Sequence, residues 1–116
     1  MSKTYDLKVS KADVKSLHWS GQPPIVHTGD TVRYVLGDEA AKSYRFAASH
    51  WIQTWQCTPS NLQAKDCLAP SAPMDRKELL LNVTATQPFQ AEFTIQLYDE
   101  AGAVYKMDPI IIGMGD

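Results

Sequence analysis

Ala91-Glu92-Phe93-Thr94-Ile95-Gln96-Leu97-Tyr98-Asp99-Glu100-Ala101-Gly102-Ala103-Val104-Tyr105-Lys106-Met107-Asp108-Pro109-Ile110-Ile111-Ile112-Gly113 is the stretch that decides the fold. Ala91, Phe93, Ile95 and Leu97 alternate with Glu92, Thr94, Gln96 and Tyr98, the period of a strand with one buried face. Asp99 to Gly102 carries turn chemistry, and Gly102 is free to take a positive φ. The chain resumes at Ala103, breaks at Asp108-Pro109 and runs out through Ile110, Ile111 and Ile112. Three β-branched residues after a proline suit a strand whose first residue needs no N–H. The expectation is a closing β-hairpin on which upstream strands pack.

Working backwards, Leu79, Leu81, Val83 and Ala85 alternate within 77–86 and predict another strand. Tyr5, Leu7 and Val9 predict a first strand, Ile25-Val26 a brief one, and Thr31 to Leu36 a strand facing inward with Val32, Tyr34 and Leu36. Lys11-Ala12-Asp13 reads as a break, and Val14 to Trp19 as a second strand or an irregular edge. Residues 37–42 read as a short helical turn. Tyr44, Phe46, Ala48, His50 and Ile52 share one face if 43–53 stays extended. Between Gln56 and Arg76 the pattern gives way to Thr, Asn, Ser and Pro, which predicts a long loop, with a helical turn near Leu62 to Lys65. About seven short strands with turns between them predict an all-β fold. The expected form is an antiparallel β-sandwich of immunoglobulin-like or cupredoxin-like kind, forming one domain over 1–116 with a long loop at 56–76.

At 116 residues, 44% hydrophobic and 21% charged, the chain has the composition of a folded domain rather than a disordered one. A net charge of −2 argues against a sequence-independent nucleic-acid binder, which needs a basic surface. Met1 to Asp6 lacks an apolar leader core, and no apolar run is long enough to span a bilayer, so a cytoplasmic location is expected.

Two passages carry a resemblance. Pro24-Ile25-Val26-His27-Thr28-Gly29-Asp30-Thr31-Val32 resembles the proline-then-GDTV entry to a central strand in cupredoxin-like sandwiches. Asp108-Pro109-Ile110-Ile111-Ile112 resembles the "DP" strand that closes small bacterial β-sandwiches of the DP-EP family. The resemblance implies a sandwich and brings no activity or catalytic residues with it. It raises copper, but a blue-copper site needs a Cys and a second His near the last hairpin. That hairpin holds neither. His18, His27, His50, Cys57 and Cys67 are scattered and read as unrelated rather than as a zinc set. No nucleophile elbow or phosphate loop is present, and Asp99 and Glu100 read as turn residues rather than an acid/base pair. No catalytic residue, metal or cofactor is therefore expected.

The expected function is that of a non-enzymatic binding or assembly module, acting through an aromatic surface or a free sheet edge. Its partner would be a second copy, another protein or a small ligand. Parity along an extended 43–55 sends Trp51 and Trp55 to the face opposite Tyr44, Phe46 and Ile52, beside Gln53. Indoles flanked by an amide suit recognition. The alternative is an enzyme or metal-binding protein with a site between His50 and the Cys57–Cys67 loop. Nine residues separate the two cysteines, and closing that ring removes roughly 3 kcal/mol of loop entropy from the unfolded chain. A reducing compartment keeps both thiols reduced, whereas oxidising conditions should join them. Mass spectrometry of air-exposed, unreduced protein is expected to find the Cys57 and Cys67 peptides linked; alkylation of both thiols in every preparation would refute this.

Overall fold

The computed structural model describes residues 2–47, 52–58, 67–71 and 76–115, with the backbone alone described at 52–55, 57 and 71. The described chain is mostly β and builds two sheets. Its elements are β1 (Thr4–Val9), α1 (Lys11–Ser16), β2 (Ile25–Val26), β3 (Thr31–Leu36), α2 (Asp38–Ser43), β4 (Tyr44–Phe46), β5 (Ile52–Thr58), β6 (Leu68–Ser71), β7 (Glu78–Val83), β8 (Phe89–Asp99), β9 (Val104–Met107) and β10 (Ile110–Gly113). None of the described helices is long and apolar enough to cross a membrane.

β8 is the axis of the larger sheet. On one flank Ile95 pairs with Met107 and Glu92 with Ile110, so both strands advance by three residues between the two pairs. β9 and β10 are thus one strand interrupted at Asp108-Pro109 with its register intact. Phe93 N–H still donates to the Pro109 carbonyl across the break, at 3.3 Å. On the other flank lie β4 and β5, and here the register is not kept. Phe46 stands opposite Leu97 and Ile52 opposite Ile95, and a bulge follows between Ile52 and Thr54. The other sheet runs β1-β3-β7-β6.

One core joins the two sheets. Val32, Tyr34, Leu79 and Leu81 from the smaller sheet are buried together with Ala91, Phe93, Ile95, Leu97 and Ile111 from the larger one. The Tyr34 and Phe93 rings meet edge-on at 6.3 Å, one from each sheet. Alternation drives this. β3 and β8 bury every second residue, and burial of each large apolar side chain contributes about 1.5–3 kcal/mol. At Gly113 an added Cβ would lie 2.0 Å from the Phe89 ring, so glycine lets that ring close the end of β10.

Several expectations change. The described residues hold ten strands rather than about seven. The sheets are mixed rather than purely antiparallel, because β1 runs parallel to β3 and β2 parallel to β10. Val14 to Trp19 is not a strand. Ser10 Oγ accepts from Asp13 N at 3.1 Å, and Asp13 Oδ2 accepts from Ser10 N at 2.9 Å. This reciprocal capping box starts α1, and Leu17 ends it in the left-handed region at φ 61°. Within 56–76, β5 continues to Thr58 and β6 pairs with β7, so this is not one uninterrupted loop. Gln56 and Thr58 are exposed, which gave the segment a loop-like polarity. Pro70 is tolerated because β6 ends its sheet. Leu62 to Lys65, Ala48 and His50 lie outside the described residues.

Phe93, 3% exposed between the sheets, is expected to lose about 3–5 kcal/mol of stability on replacement by Ala. Thr94→Ala should cost clearly less in urea unfolding; the reverse order would shift the register of β8 by one residue.

Candidate functional site

β1 ends the smaller sheet, and its outer edge is the candidate site. Lys3 O accepts from Thr31 N at 2.8 Å, and Val9 O accepts from Gly37 N at 2.9 Å. In a parallel ladder the odd residues of β1 therefore turn their peptide groups toward β3, and Thr4, Asp6 and Lys8 turn theirs away. The strand is fastened at both ends, on its β3 side at the start and on its outward row at the end. At the start, Asp30 Oδ1 accepts from Lys3 N at 2.8 Å while Oδ2 accepts from His27 N at 2.8 Å. At the end, the Trp19 indole N–H donates to the Lys8 carbonyl at 3.2 Å. The open backbone is centred on Thr4 and Asp6.

The fastenings are built from the core outward. Trp19 is buried and meets the Tyr34 ring edge-on at 5.7 Å, so its indole is held before it reaches Lys8. An added Cβ on Gly21 would sit 2.2 Å from that indole, so only glycine lets the loop pass. On the outer sheet face Arg33 spans three strands, donating to Asp6 Oδ1 at 3.2 Å and to Glu78 Oε2 at 2.7 Å. Asp30 is 2% exposed. The His27 amide, ahead of the opposing cost of burial, and then the Lys3 amide hold its carboxyl below the usual carboxylate range. Asp13, also buried, has burial pushing its pKa up, yet hydrogen bonds from Ser10 and Ser20 outweigh that and bring it below the ordinary value. Its Oδ1 accepts from Ser20 N at 3.0 Å and Ser20 Oγ at 2.7 Å, which leads the chain from α1 toward Gly21.

The residues singled out from the sequence fall elsewhere. Trp51 and His50 lie outside the described residues. Gln53 and Trp55 are placed by backbone in β5, with Trp55 registered against Phe93 and the bulge falling at Gln53. The unbroken alternation over 43–55 that set the two tryptophans on one face is not present, since β4 ends at Phe46 and the register shifts after Ile52. Cys57 sits in β5 opposite Ala91, in the larger sheet. Cys67 is buried at the entry to β6, and its carbonyl accepts from Thr84 N at 2.9 Å in the smaller sheet. His18 pairs with Asp108 at 3.1 Å in the open, a contact worth little.

Asp99 is a turn residue. Its Oδ1 accepts from Ala101 N and Ala103 N, each at 2.9 Å, and Oδ2 accepts from Tyr105 Oη at 3.0 Å. Among the described residues no three His, Cys, Asp or Glu side chains gather as a metal site would require. Asp13, Trp19 and Asp30 were not singled out from the sequence. The Ser10-x-x-Asp13 spacing was a usable signal for the first; nothing local marks Trp19 as an edge cap.

No protein-family model matches the chain, and no curated protein matches it.

Asp30→Asn should lower the urea midpoint at pH 7, because an amide cannot accept from both the Lys3 and His27 amides. The native carboxyl titrates below its unfolded value, so its stabilisation is present above about pH 4 and fades as pH falls further. Unfolding curves of Asp30→Asn and the native chain are therefore expected to converge in acid; a gap that persists unchanged at pH 2–3 would contradict this reading.

Proposed function

We propose that the chain is a non-enzymatic binding or assembly module that self-associates through the open edge of β1. We further read its two sheets on a shared core as a β-sandwich of immunoglobulin-like or cupredoxin-like kind, a reading supported by the Tyr34–Phe93 contact between them. The observation that carries the functional reading is the fastened edge. Asp30 anchors the strand at the Lys3 amide on the β3 side, Trp19 caps the outward Lys8 carbonyl, and the outward peptide groups of Thr4 and Asp6 lie between these anchors. Unpaired strand edges attract other strands.

The occupant is a second copy, paired antiparallel about a two-fold axis at Tyr5. That register sets Thr4 opposite Asp6 of the other copy and gives four backbone hydrogen bonds from open groups alone. It leaves the capped Lys8 carbonyl out of the ladder. An axis at Asp6 would put like charges face to face, which is unfavourable. An axis at Leu7 would need the carbonyl that Trp19 already uses. The two-fold arrangement is self-complementary and closes at two copies.

Thr4→Pro tests it, because proline at the first residue of an edge strand removes an outward N–H without touching the β3 ladder. Sedimentation should find a concentration-dependent dimer for the native chain and a monomer for Thr4→Pro, with equal thermal midpoints at concentrations too low for the native chain to dimerise. A native chain that stays monomeric to about 1 mM, or a Thr4→Pro variant that still dimerises, would overturn the proposal.

A further inference from the structure

Two adjoining hollows flank the β8–β9 turn, of about 360 and 280 Å³. Lys11 and Lys15 line the first; Lys42, Arg45 and Arg76 line the second; both share Ser43. Five of the chain's 11 basic residues thus converge on one place in a protein whose net charge is −2. They come from three separate parts of the chain. Lys11 and Lys15 are one turn apart on α1, Lys42 closes α2, Arg45 lies in β4, and Arg76 precedes β7.

The cations are positioned rather than merely present. Arg45 Nη1 donates to the carbonyls of Ala41 and Tyr44, which fixes its guanidinium plane and leaves other N–H donors of the fork to spare. Arg76 is held at φ 56° while its carbonyl accepts from Phe46 N at 2.9 Å, locking it beside β4. Among the described residues, Lys11, Lys15, Arg45 and Arg76 form no ion pair with a carboxylate. Asp99 and Glu100 stand between the hollows. The Asp99 carboxylate is occupied by the turn amides and Tyr105, so among the described lining residues Glu100 alone presents a carboxylate that the turn does not use.

We infer that this place binds a small polyhydroxylated molecule with a phosphate at each end, of the sugar bisphosphate class. Each phosphate would sit in one hollow: Lys11 and Lys15 act as point charges on one, while Arg45 and Arg76 offer forked donors to the other. Between them, Glu100 and the Ser43 hydroxyl are suited to the ligand's hydroxyl groups. A bare polyanion would meet Glu100 as repulsion, which separates this reading from a general anion patch.

The test is calorimetric titration at physiological ionic strength with a hexose 1,6-bisphosphate, inorganic phosphate and a short DNA duplex as probes. Joining two phosphates in one molecule should make the bisphosphate bind about a hundredfold more tightly than inorganic phosphate. Lys11→Gln/Lys15→Gln and Arg76→Gln should each remove most of that advantage, while Lys106→Gln, which alters net charge outside the hollows, should leave it intact. Equal affinity for the two phosphate probes would overturn the inference. So would an equal loss in Lys106→Gln, or a duplex that competes as well as the bisphosphate.

Discussion

The structure depends on the hydrogen-bonding requirement of β8. A buried strand must satisfy every peptide group on both flanks, and β8, at eleven residues, is longer than any other strand described. No single partner matches that length. The chain meets the requirement with pairs of short strands, β9 and β10 on one flank and β4 and β5 on the other. The two flanks answer differently. Asp108-Pro109 interrupts without a change of register, whereas the passage from Phe46 to Ile52 uses six residues where β8 uses two. The inward row from Phe89 to Leu97 then has strands paired on both flanks and can face the smaller sheet.

A second constraint comes from buried carboxylates. Asp13 and Asp30 are 5% and 2% exposed, and each binds segments that apolar packing alone would leave loose. Asp30 ties the start of β1 to the turn before β3; Asp13 starts α1 and then gathers Ser20. Each carboxylate accepts hydrogen bonds on both of its oxygens, so neither is stranded in the interior. Together they hold the two approaches to Trp19 and to the β1 edge.

The parts legible in the sequence are those where one face is buried. β3, β7 and β8 show strict alternation, and Val32, Tyr34, Leu36, Leu79, Leu81, Val83, Phe93, Ile95 and Leu97 are buried as that alternation implies. What was missed has specific causes. In α1 the capping box outweighs a weak apolar pattern, since only Val14 and Asp13 of that helix are buried. β6 hides behind Pro70, and the bulge in β5 leaves no mark in composition. Parallel pairing of β1 with β3 is invisible to periodicity, which reports a face and not a neighbour. The candidate edge needed that pairing, and the cationic hollows needed residues from distant elements, so neither had a local signature.

The order of the chain has a consequence for how it is made. β4 and β5 both precede β8, and the whole larger sheet except the β2–β10 pair is built on β8. During synthesis those strands emerge with unsatisfied edges and wait for a partner that comes much later. β8 and β9, by contrast, are joined by a tight turn and can pair at once, on the microsecond timescale of hairpins. Assembly should therefore run backwards along the larger sheet, with the late hairpin capturing the earlier strands. In that interval the nascent chain is most exposed to misassembly, and a chaperone would have most to offer it then.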